Sequence, residues 1–102
     1  MRHLMAFIQS MDFATEKRDE LIEVMGRWAA DAHGAGTASR ATLAEDKSAP
    51  GRFVMAVSFD SPEAAAANSA RPETGVYAAE FASLCSDGPT YREFEVVEVY
   101  GD

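Results

Sequence analysis

The chain holds a single cysteine, Cys85, so no intrachain disulfide and no thiolate metal cluster can form. Its two histidines, His3 and His33, lie far apart and match no His-x-x-x-His spacing, so no metal site is expected. Basic residues are scarce. Nine Lys and Arg against seventeen Asp and Glu leave a formal charge of −8. Nucleic acid and anionic membranes are held by Lys and Arg that displace phosphate counterions, so neither is an expected partner. No stretch approaches the roughly 18 apolar residues of a membrane span. The opening MRHLMAFIQSM also lacks the apolar run of a signal peptide, which makes a reduced, cytoplasmic setting the default. No Gly-rich phosphate loop, Ser-His-Asp order or paired-carboxylate signature is visible, and no catalytic residue is nominated. Leucine is scarce as well, four against nineteen alanines. The core must draw on six Phe, five Met and the valines, and such a core gains from burial against a second subunit.

What is present reads as one domain over residues 1–102. HLMAFIQSM alternates two sets, His3, Met5, Phe7, Gln9 and Leu4, Ala6, Ile8, Ser10, as a strand covered on both faces does. From Thr15, a plausible N-cap, the spacing of Leu21, Met25, Trp28 and Ala32 predicts a helix ended by Gly34 and Gly36. TASRATLAE predicts an edge strand, and RFVMAVSFD a strong one that opposes Phe53, Met55, Val57 and Phe59 to Val54, Ala56 and Ser58. SPEAAAANSA opens a second helix with Ser61 as N-cap and Pro62 at the first position. Pro72 cannot continue that helix but can begin another, with a stripe of Tyr77, Phe81 and Leu84 joined by Val76 and Cys85. SDGP predicts a turn and TYREFEVVEVYG a closing strand. With right-handed crossovers this is an α+β, ferredoxin-like βαββαβ fold, antiparallel order 4-1-3-2, helices on one face. Met5, Phe7, Met55, Val57 and Phe59 are expected on the bare face, where a two-fold partner would cover them.

The stretch VSFDSPEAAAANSARPETGVYAAEFASLCSDGPTYREFEV, with Phe59, Ser61, Glu63, Asn68, Ser69, Pro72, Glu73 and Thr74 in place, resembles the dimeric α+β barrel superfamily. Its likeness is to small actinobacterial-type members related to the antibiotic-biosynthesis-monooxygenase domain. The resemblance implies a homodimer with a pocket between sheet and helices, and a broken helix that bends over one end of it. It also implies chemistries from cofactor-free oxygenation to haem degradation, with members that have no known reaction. The haem-degrading branch carries its histidine on the second helical region. Residues 61–85 contain none, so no haem and no other cofactor is expected.

Six residues are candidates for contact with a small aromatic ligand. Trp28 is either core or an aromatic pocket wall, and the two are compatible. Asn68 either satisfies backbone groups at the helix break, with Ser69 or a neighbour capping the next helix, or also faces the ligand. Arg71 is either in an ion pair with Glu73 or Glu63 or a cation at the pocket mouth. Tyr77 and Phe81 either line the pocket or fill it. Ser58, with Ala6, Ser10 and Ala56, is small enough to leave room beneath the helices. Two functions follow: a small-molecule-binding homodimer with cofactor-independent monooxygenase chemistry, or a non-catalytic dimeric module with a filled core.

Overall fold

The structure, a computed structural model, describes residues 6–101. The expectations placed on His3, Leu4 and Met5 lie outside the described residues. The elements run β1 (Phe7–Ala14), α1 (Arg18–Gly34), β2 (Arg40–Glu45), β3 (Arg52–Phe59), α2 (Pro62–Ala70), α3 (Pro72–Leu84) and β4 (Asp87–Glu95). The sheet order is β2-β3-β1-β4 with antiparallel neighbours, the expected ferredoxin-like topology.

Register assigns the faces. Gln9 pairs with Val57, Met11 with Met55 and Phe13 with Phe53. This set points at the helices, where Met11, Phe13, Phe53 and Met55 join Leu21, Val24, Met25, Trp28 and Phe81 in one buried cluster. Phe59, also on this face, packs with Ala32, Ala38 and Ala65 in a second. The Met, Phe and Val set is therefore the inner face and not the bare one. Alternation tells which side chains share a face, but not which face the helices take. Alanine-rich helices leave volume, and large strand side chains fill it. The open face carries Ile8, Ser10, Asp12, Val54, Ala56 and Ser58, with Thr90, Arg92 and Phe94 from β4. The small residues expected beneath the helices thus lie on the far side of the sheet.

Several ends differ from expectation. Thr15 does not cap α1; its hydroxyl donates to the Leu84 carbonyl at 2.6 Å and accepts from Lys17 N at 2.9 Å, tying β1 to the end of α3. α1 begins at Arg18 behind Lys17, and its stripe of Leu21, Met25, Trp28 and Ala32 is buried as expected. Ser61 caps α2, accepting from Ala64 N at 3.1 Å. No side chain caps α3, whose N-cap is Arg71. Val76 leaves the α3 stripe and is 68% exposed. SDGP is not a free turn: β4 already begins at Asp87, opposite Ala14. Gly88 has φ +79 there, and a Cβ would stand 2.7 Å from the Asp12 carbonyl oxygen, so only glycine fits. The strand ends at Glu95, and Val97, Val99 and Tyr100 in the tail are exposed.

Candidate functional site

Between α1, β2 and the inner sheet face the side chains stop short of filling the space. Ala29 and Ala32 on α1, Ala38 in the following loop and Ala41 on β2 form one wall of methyl groups. Met11, Met55, Val57 and Phe59 line the space from the inner sheet face, where Ala41 pairs with Val57, and Trp28 completes the apolar lining. The cavity left between them is ≈ 20 Å³, room for one water molecule. Its methionine walls are the adaptable part, because unbranched thioethers change rotamer at little cost. Among the described residues, Gln9 and Asn68 bring amide side chains to it.

Asn68 is held by the helix break. α2 stops where Arg71 turns to an extended conformation ahead of Pro72. The Asn68 carbonyl accepts from Arg71 N at 3.2 Å and from the Thr74 hydroxyl at 2.6 Å. Its side chain, on a residue only 6% exposed, accepts from the Thr37 hydroxyl at 3.1 Å. The NSARPET segment thus redirects the chain and also fixes a buried amide beside the cavity.

The six residues expected to meet a ligand are dispersed. Trp28 and Asn68 line the cavity. Tyr77 stacks on Trp28, ring centroids 6.3 Å apart and planes 12° from parallel, and Phe81 meets Trp28 at 6.0 Å. Both stand behind the tryptophan and support it. Arg71 lies 2.8 Å from Asp31 on α1 and 4.0 Å from Glu73, so the α1 carboxylate is its nearer partner. Its side chain is four-fifths buried in that contact, away from the cavity lining. Ser58 alternates with the lining residues Val57 and Phe59 and so points to the open face, because odd and even positions of a strand face opposite ways. Two contributors went unnoticed in the sequence. Gln9 could have been found as the one amide in an otherwise apolar strand face; Thr37, in a loop, carries no such signal.

The perturbed acids lie elsewhere. Burial pushes the Cys85 thiol above its ordinary value, and burial followed by the proximity of Cys85 pushes the Tyr91 phenol up. Neither lines the cavity. Among the described residues no group of three or more His, Cys, Asp and Glu is placed to hold a metal, and no helix is long and apolar enough to cross a membrane.

No protein-family model and no curated protein sequence matches the chain. Solved structures do. SnoaB from Streptomyces nogalater, a cofactor-independent oxygenase studied as an asparagine-to-alanine mutant, superposes with a TM-score of 0.86. It is 16% identical over 96% of this chain and 99% of its own. A candidate antibiotic biosynthesis monooxygenase from Chloroflexus aurantiacus gives 0.74 at 20% identity, over 94% of this chain and 97% of that one. Rv0793 from Mycobacterium tuberculosis gives 0.79 at 13% identity, over 94% and 99%. These structures share the α+β, ferredoxin-like fold expected from the sequence.

Proposed function

We propose that the protein is a homodimer whose subunits each bind a small, flat, largely apolar metabolite between α1 and the sheet. Cofactor-independent monooxygenation is its chemistry. The observation that carries this reading is Asn68, a buried amide fixed beside Trp28 at a cavity whose lining is apolar but for Asn68 and Gln9. The cavity is smaller than an aromatic ring, so binding requires Met11 and Met55 to move aside. Dioxygen chemistry without a cofactor asks little of a protein when the substrate itself supplies the electrons. A ring methylene converted to a carbonyl gives up two hydrogens and four electrons. One oxygen atom stays on the carbon and the other leaves as water, so no external reductant is needed. Orientation, exclusion of water and a hydrogen bond to the developing oxyanion are what the site would contribute. The dimer is supported by the open sheet face, where Val54 is 36% and Phe94 41% exposed in a single chain.

A direct test is oxygen uptake by the purified, metal-free protein with a panel of dihydroxy-aromatic compounds and of fused-ring ketones that carry a ring methylene, alongside thermal shift with the same panel. Uptake above the buffer rate together with a raised melting temperature is expected. A panel that leaves both unchanged would remove the reading. The cavity of ≈ 20 Å³ favours a second reading, a non-catalytic dimeric module whose core is already filled. That module would dimerise normally and respond to no compound.

A further inference from the structure

Thr37 joins two elements that sequence separates. Its backbone N–H donates to the Ala32 carbonyl at 3.1 Å, which closes the end of α1. Its hydroxyl oxygen then lies 2.9 Å from that same carbonyl oxygen and 3.1 Å from Asn68 Oδ1 on α2. A hydroxyl has one proton, and both neighbours are acceptors. The Ala32 carbonyl already takes Thr37 N–H and the N–H of Ala38 at 3.4 Å, one donor for each lone pair. Asn68 Oδ1 has no other donor among the described residues. The proton is therefore worth most to Asn68.

With Oδ1 committed to Thr37, the amide keeps its NH2 group for the cavity that Asn68 lines. We infer that Thr37 is a positioning residue: it locks the Asn68 amide so that the site offers a hydrogen-bond donor and selects flat ligands bearing an uncharged oxygen acceptor at one edge. The inference rests on the small-molecule reading given above. The charge follows from the lining, which holds no cationic side chain, while Arg71 is engaged by Asp31. A carboxylate or phosphate would meet no counter-charge inside a chain of net charge −8. A phenol or ketone oxygen can accept from the Asn68 NH2, and Gln9, the other amide of the lining, is uncharged as well.

The experiment compares 2-naphthol with naphthalene, two probes of nearly the same shape that differ by one oxygen. Isothermal titration on the full chain should give tighter binding of 2-naphthol, by about tenfold for one buried hydrogen bond. Thr37→Val should remove most of that preference and leave naphthalene within about twofold. Thr37→Ser should restore it. Thr37→Val should add nothing in an Asn68→Ala background, because coupled residues are not additive. Without any variant, 2-naphthol should shift the Asn68 side-chain NH2 resonances of protein labelled with 15N-asparagine, and naphthalene should not. Equal losses for both probes in Thr37→Val, or NH2 resonances unmoved by bound 2-naphthol, would overturn the inference and leave the pocket standing. Equal affinities of the wild-type protein for the two probes would do the same. Binding of neither probe would remove the pocket itself, and the role of Thr37 with it.

Discussion

At the scale of the residue, ring contacts and one amide account for most of what the interior does. Phe81 is wholly buried and meets Phe13 edge-on at 4.8 Å, while Phe13 stacks on Phe53 at 5.7 Å. Phe81 also backs Trp28, so the core and the cavity wall share a side chain. Phe81→Ala should cost about 3–5 kcal/mol in urea denaturation, the usual range for an emptied aromatic site. It should also loosen Trp28, visible as a red-shifted tryptophan emission. Cys85 supports a prediction with a definite sign. Burial raises its pKa above the ordinary 9.0, so the unfolded thiol ionises at lower pH than the folded one. The folded state then holds more protons through that interval. Stability is complete below the ordinary thiol value and falls as pH rises through and beyond it. Tyr91, raised from 10.0 chiefly by burial, adds the same sign at higher pH. Urea midpoints measured from neutral to about pH 10 should decline less steeply in Cys85→Ala than in the wild-type protein. Equal slopes would mean that the thiol is not the group responsible.

At the scale of the element, helix ends decide where the cavity residues stand. Ser61 accepts from Ala64 N at 3.1 Å and starts α2 so that Ala65 and Asn68 turn inward. Ser61→Ala should lower stability by about 0.5–2 kcal/mol, as lost N-caps do, and hydrogen exchange should quicken first in α2. The strand and helix order was legible because 2.0 and 3.6 periods are strong in RFVMAVSFD and in Leu21–Met25–Trp28–Ala32. The helix break at Pro72 was legible from the ring alone. What stayed hidden depends on contacts distant in sequence. Thr15 prefers the Leu84 carbonyl, 69 residues away, to capping its own helix. Asn68 takes its partner from the α1–β2 loop, which no local pattern announces. Trp28 and Asn68, an aromatic on a stripe and an amide at a break, stand out in the sequence and both line the cavity. Ser58 and Arg71 were misplaced because their locations turned on which sheet face was inward and on where Asp31 lay.

At the scale of the whole molecule, the three helices of the described residues cover one face of a four-stranded sheet and leave its other face open. On that open face Ile8 pairs with Phe94, Arg92 lies over the Phe94 ring at 5.2 Å, and Val54 stands further along β3. Side chains this exposed add little to the fold of one chain but would become the centre of a sheet-on-sheet interface. The two faces can be told apart by the same kind of change made on each. Phe94→Glu places a charge on the open face, where a single chain leaves it hydrated. It should give a folded monomer by light scattering, with the circular dichroism of the parent. Met55→Glu places a charge on a residue only 5% exposed, in the cluster with Trp28 and Phe81, where an unpaired carboxylate has no partner. It should yield unfolded or aggregated protein and no folded monomer. A Phe94→Glu protein that remains dimeric would move the interface off the open face. A wild-type protein that is monomeric at micromolar concentration would remove the interface altogether.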